Sequence, residues 1–234
     1  MPYPSFRFLQ SKTSRSVPTW RPTARPQIMI NPASKMFLRA VVIAAAISCT
    51  FARAAVDSGK PAPDFTYTDL SGKAQRLSDH RGKIVILEWL NPGCPFVVRH
   101  YRSGNMPSTQ VAAAAAGAVW LQVNSTAMGD LDPLKSAEWQ KKQKVTASSY
   151  IRDQSGQLGR LFGAQTTPHL FVISKEGTVV YQGAIDDQPS ATQANTMSAH
   201  NYVKAAIESL RLGRPIERAT TQSYGCAVKY GAEP

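Results

Sequence analysis

The chain has 234 residues, 18% charged and 43% hydrophobic, with a formal net charge of +12 at pH 7. Eight of its 27 Lys and Arg, and none of its 15 Asp and Glu, fall in residues 1–54, so the remainder carries a net charge of only +4. The basic balance therefore belongs to the leading segment and does not point to nucleic acid; no basic stripe interleaved with aromatics follows it.

Residues 1–35 are rich in Pro, Ser and Arg and read as a disordered extension, or as sequence upstream of a true start at Met36. Residues 36–54 read as a signal peptide. Lys35 and Arg39 supply the basic region, and Ala40 to Ile47 is apolar but too short to span a bilayer. Ala52-Arg53-Ala54 has the form of a cleavage site. An organellar transit peptide is the competing reading, and the cleavage site after a compact apolar core favours export. The expected mature domain is 55–234, periplasmic or secreted, with no membrane attachment after cleavage. About 180 residues make one domain of ordinary size. Once Cys49 is removed, Cys94 and Cys226 remain, and an even pair in an exported protein suggests a structural disulfide or a redox couple.

Along the body, Ala62–Asp69 and Ala74–Leu77 read as short strands about the turn Leu70–Lys73, an N-terminal β-hairpin. Ile84–Trp89 is apolar and β-branched, as a buried strand would be. A helix is expected from Pro95 to about Arg102, an interruption at Ser103-Gly104-Asn105, and a second helix over Met106–Ala116. Ala118–Asn124 is the next buried strand. Asp132 caps a helix that ends in Lys141, Lys142 and Lys144. Ser149–Arg152 reads as a strand, Gln157–Phe162 as a helix, Leu170–Ile173 and Val179–Tyr181 as a hairpin, and Asn201–Leu212 as a final helix. The tail Thr220–Pro234 has no clear periodicity. This alternation predicts an α/β fold: a central mixed sheet with helices on both faces.

Cys94 is the residue with the clearest chemistry. Pro92-Gly93 breaks the strand before it, and Pro95 suits the first turn of a helix. A cysteine at a helix N-terminus faces the positive end of the helix dipole, which favours thiolate, the form that attacks disulfides and peroxides. The bland alternative is a small buried hydrophobe. Pro168 opens a strand, where a trans bond is the default from sequence alone.

The arrangement Trp89-x-Asn91-Pro92-x-Cys94-Pro95, followed at distance by Thr167-Pro168, resembles the thioredoxin-like fold. More closely, it is similar to peroxiredoxin-like redoxins of the alkyl hydroperoxide reductase/thiol-specific antioxidant superfamily. The likeness runs from Ala62-Pro63-Asp64-Phe65 through Cys94-Pro95-Phe96-Val97, Thr167-Pro168-His169 and Gly183–Asp187 to Gly225-Cys226-x-x-Lys229. The resemblance implies that Cys94 is the attacking cysteine, that Pro168 is a cis-proline facing it, and that the Thr167 backbone pairs with an extended thiol substrate. Two departures stand out. Val97 occupies the second cysteine position of a C-x-x-C site, so exchange within one helix is excluded. Asn91 stands where a peroxiredoxin has Thr or Ser, and its amide can donate in place of the hydroxyl.

Cys226 is a candidate resolving thiol, with a permanent Cys94–Cys226 staple and two unrelated cysteines as alternatives. His100, His169 and Cys94 are a conceivable soft metal site, but an exposed helix position for His100 and a strand position for His169 are the expectation. Arg99 and Arg102 are expected on a solvated helix face, Asp186 and Asp187 in a turn, and Trp89 in the core. The resulting expectation is an exported thiol-dependent oxidoreductase with no cofactor or metal. Its site is Cys94 and Cys226 with Asn91, Pro95, Thr167 and Pro168. Its partners are a hydroperoxide or protein disulfide and an external thiol reductant. The rival is a non-catalytic binding or metal-delivery module with structural cysteines.

Overall fold

In a computed structural model of the chain, the described residues are 55–127, 132–192 and 198–232. The expected extension (1–35), the expected signal peptide (36–54) and part of the polar loop after Asp187 lie outside them.

β1 (Thr66–Thr68) and β2 (Ala74–Arg76) form the expected antiparallel hairpin. β2 stops at Arg76, one residue short of expectation. Leu77–His80 winds into a short 3-10 turn, and the Asp79 carboxylate accepts the Arg76 N–H at 2.8 Å. β3 (Val85–Trp89), β4 (Val119–Asn124), β5 (Ser149–Arg152), β7 (His169–Ile173) and β8 (Val179–Gly183) make a five-stranded sheet in the order β5-β4-β3-β7-β8. β3, β4 and β5 run parallel, while β7 and β8 close the other side antiparallel. Among the described residues, α1 (Pro95–Arg102), α2 (Asn105–Ala115), α3 (Pro133–Lys142) and α4 (Gln157–Phe162) connect them, and α5 (Tyr202–Arg211) follows β8.

The central strands read as continuous apolar runs because both faces of the sheet are covered. Val85, Leu87 and Trp89 point to a core shared with Leu158, Leu161 and Phe162 of α4 and with the N-terminal hairpin. Ile84, Ile86 and Leu90 point to a second core with α1, α2 and α5, which also holds Cys94. This alternation is the period-2 geometry of a strand. Polar caps start two of the helices: Asp132 accepts the Lys135 N–H at 2.9 Å before α3, and Asn201 accepts the Lys204 N–H at 2.8 Å before α5. The thioredoxin-like α/β architecture expected from the sequence is the one observed.

The tail differs from expectation. It is a strap that crosses the end of the sheet. The Gln182 N–H donates to Ala219 O and the Thr221 N–H to Gln182 O, each at 3.0 Å. Further on, β9 (Cys226–Ala227) pairs antiparallel with β6 (Thr166–Thr167). The Ala127 N–H donates to Lys229 O at 3.0 Å, and Tyr230 Oη donates to Ala164 O at 2.7 Å under the Arg160 guanidinium. A strap anchored through scattered backbone groups carries no periodic signal.

Gly159 in α4 makes room for the strap. A Cβ there would lie 2.5 Å from Tyr230 Oη and 2.7 Å from Ser125 Oγ. Ala normally gains about 1 kcal/mol over Gly in a helix. Gly159→Ala is expected to reverse that sign and cost about 1–2 kcal/mol through overpacking. Denaturant unfolding and limited proteolysis of the tail measure it; a stabilised chain with an equally protected tail refutes this packing account.

Candidate active site

Cys94 ends the loop after β3 and is the N-cap of α1, with extended φ/ψ of −77° and 123° and Pro95 in the first turn. Its side chain is only 2% exposed. Cys94 Sγ lies 3.0 Å from Thr167 O and 2.9 Å from Cys226 Sγ. Both cysteines are free thiols. The Thr167–Pro168 bond is cis. Cys226 stands opposite Thr167 in the β6–β9 register. Gly225 permits this approach: its φ is +138°, and a Cβ there would come 2.1 Å from Thr167 O. The structure thus brings Cys94, Cys226, Pro95, Thr167 and Pro168 to one place.

The two sulfurs are electrostatically unequal. Burial pushes the Cys94 thiol up, but the Cys226 thiol, the Thr167 side chain and the Val97 and Cys226 N–H groups outweigh it, so Cys94 lies below the ordinary thiol value. Burial, and then the facing Cys94, push Cys226 up to about 11. Of the two thiols, Cys94 is therefore the one that gives up its proton first.

Asn91 sits beside this centre with its amide committed elsewhere. Nδ2 donates to Thr126 Oγ1 at 3.0 Å, and Oδ1 accepts the Gly93 N–H at 2.8 Å. Asn91 therefore braces the loop that presents Cys94. Trp89 is fully buried, as expected, with its indole N–H donating to Ser125 Oγ at 3.0 Å.

Three expectations are corrected. Arg99 and His100 are not on a solvated face: they are 6% and 0% exposed. Asp186 is not an open turn residue but is 1% exposed, whereas Asp187 is exposed. These residues converge on Tyr224 of the strap, two positions before Cys226. Tyr224 Oη makes a short hydrogen bond to Asp186 Oδ1, contacts His100 Nε2 at 3.0 Å and accepts from Arg99 Nη2 at 3.2 Å. Asn105 Nδ2 reaches Asp186 Oδ2 at 2.7 Å, and Arg99 Nη2 also donates to Gln188 O at 2.8 Å. Burial, then Arg99, hold the His100 imidazole down to about 3, so the ring is neutral. Burial pushes the Asp186 carboxyl up against the pull of Tyr224, the Gln188 N–H and Arg99. The residue types of this cluster were visible in the sequence; their convergence is tertiary.

Sequence reasoning also passed over Glu88. It is fully buried in β3 and accepts from Tyr101 Oη at 2.7 Å and Trp120 Nε1 at 2.8 Å. Burial raises its carboxyl pKa. A single acidic residue inside an apolar run was the available signal. His169, in β7, is buried and stacks on Phe171 with ring centroids 4.6 Å apart. Among the described residues no group of three or more His, Cys, Asp or Glu could hold a metal ion. No helix among them is long and apolar enough to cross a membrane.

The AhpC/TSA family profile matches residues 58–182. The chain belongs to the AhpC/TSA family. Two curated relatives, the thiol-disulfide oxidoreductases ResA of Geobacillus kaustophilus (strain HTA426) and Geobacillus thermodenitrificans (strain NG80-2), are each 27% identical over 134 residues. That stretch covers 54% of this chain and 69% of each relative. Among solved structures, a hypothetical protein from Sinorhizobium meliloti 1021 superposes with a TM-score of 0.65 at 23% identity, covering 76% of this chain and 97% of that one. An uncharacterized conserved protein from Geobacillus kaustophilus gives 0.67 at 21% identity, covering 76% and 94%. At those identities the two structures speak for the fold. The AhpC/TSA match ends before β9, so the family profile does not include Cys226.

Two measurements test the electrostatics. Cys226→Ala removes the thiol that supports charge on Cys94 while burial still opposes it. The midpoint of the ultraviolet thiolate absorbance of Cys94 is expected to move to higher pH; an unmoved midpoint shows that Cys226 does not support the thiolate. Burial holds His169 down to about 4 from an ordinary 6.5. The unfolded chain takes up this proton near pH 6.5 and the folded chain only near 4, so stability is lost as pH falls through that window. His169→Gln is expected to flatten the loss by up to about 3 kcal/mol between those limits in denaturant titrations; an unchanged slope places the acid sensitivity elsewhere.

Proposed function

We propose that this AhpC/TSA-family chain is an exported thiol–disulfide oxidoreductase that cycles between a Cys94–Cys226 dithiol and the corresponding disulfide. The observation that carries the reading is the 2.9 Å contact between the two free sulfurs, with Cys94 at a helix N-terminus. Cys94 thiolate attacks a sulfur of an oxidised partner and expels one thiolate, forming a mixed disulfide. Cys226, deprotonated as it attacks, then displaces the second partner thiolate from Cys94. Two electrons pass from the pair to the partner, and the two thiol protons go to the partner's sulfurs. An external thiol reductant returns the chain to the dithiol. The name of the ResA relatives supports disulfide chemistry, and export rests on residues 36–54 of the sequence.

A hydroperoxide is the second oxidant in this reading. It would convert Cys94 to a sulfenic acid and release water or an alcohol, and condensation with Cys226 would release a second water. Compactness of the site supports a small oxidant.

The test is mass spectrometry of reduced chain beginning at Ala55, given one equivalent of a small disulfide or of hydrogen peroxide and then alkylated. Both thiols are expected to be lost together to an intramolecular disulfide, and Cys94→Ser is expected to abolish it. Thiols that stay free and alkylate slowly overturn the redox reading in favour of structural cysteines.

A further inference from the structure

Resting on the redox reading above, we infer that the strap 219–231 is the specificity element of the site: it admits small oxidants to Cys94 and bars an extended protein segment from Thr167. The backbone of β6 beside Pro168 is a strand edge next to Cys94 along which an extended client could pair. It is occupied by the chain's own β9, with Cys226 opposite Thr167. Cys226 thus stands where a client cysteine would stand. Cys94 is 2% exposed beneath it, so a bulky disulfide meets the partly exposed Cys226 before it meets Cys94.

The strap is held on both sides of Cys226. Tyr224 is buckled to Asp186, His100 and Arg99 inside a buried cluster. Tyr230 is fixed to Ala164 O, and Gly231 O accepts from Arg160 Nη2 at 2.6 Å. Tyr224 is a positioning residue: it touches neither sulfur and sets where Cys226 lies. A protein client would have to displace β9, and its apparent rate is reduced by the fraction of chains in which the strap is open. A molecule the size of hydrogen peroxide needs only a local opening beside Cys226, without release of β9.

The test uses the full chain carrying Cys226→Ser, which leaves Cys94 as the one site thiol and keeps the strap. Gly225→Ala is added to lift β9 from Thr167, because its Cβ would overlap the Thr167 carbonyl. Tyr224→Phe, which unfastens the buckle without adding bulk, serves if Gly225→Ala does not fold. Two rates at Cys94 are compared: mixed-disulfide formation with an extended peptide disulfide, and oxidation by hydrogen peroxide. The peptide rate is expected to rise about tenfold more than the peroxide rate when the strap is loosened. Equal changes in both rates overturn the inference while leaving the redox reading intact. A Cys94 inert to both oxidants in every variant overturns the redox reading, and the inference with it.

Discussion

The site depends on the pairing of β9 with β6. That short antiparallel contact places Cys226 opposite Thr167 and sets its sulfur against Cys94. Without it Cys94 would be a lone buried thiol at a helix N-terminus. The contact exists because Gly225 carries no side chain: at a φ of +138° and with the Thr167 carbonyl so close, a Cβ has no room. One glycine, one strand edge and two anchoring tyrosines convert two distant cysteines into a couple.

The electrostatics follow from this geometry. A buried sulfur resists charge, and Cys94 is deeply buried, yet its pKa falls because donors converge on it. Cys226 is one of those donors and is itself held protonated by the charge it supports. The two thiols are thus electrostatically distinct, in the sense that the proposed roles of nucleophile and resolving thiol require. The neutral His100 and the buried Asp186 lie one step further out and act through Tyr224 on the position of Cys226.

The sheet, the helices and Cys94 at the start of α1 were legible in the sequence because each rests on local signals. Apolar runs mark β3 and β4, Pro95 marks a first turn, and Asp132 marks a helix cap. What was not legible is what the tail does. Cys226–Ala227 is too short to show strand periodicity, and its pairing is chosen by Thr166–Thr167, some sixty residues earlier. Arg99, His100 and Asp186 were misplaced for the same reason. Charged residues are assigned to solvent by default, and only tertiary contacts with Tyr224, Asn105 and the Gln188 backbone supply the partners that make their burial tolerable. Glu88 is the same lesson inside a strand: its partners Tyr101 and Trp120 come from α1 and β4.

A C-x-x-C site holds its two thiols together by the turn of a single helix, so the couple survives as long as that turn does. Here the partners are 132 residues apart, and only tertiary structure keeps them in contact. Closing a loop of that size removes about 5 kcal/mol of chain entropy from the unfolded state in the simplest polymer treatment. In the proposed cycle the oxidised couple and the docked strap must therefore stabilise each other, since linkage is reciprocal. Whatever holds Tyr224 and Tyr230 in place favours the disulfide, and whatever loosens them makes the disulfide easier to reduce. On that proposal the redox poise is written into the tail packing, where a helix-borne couple writes it into the residues between its cysteines.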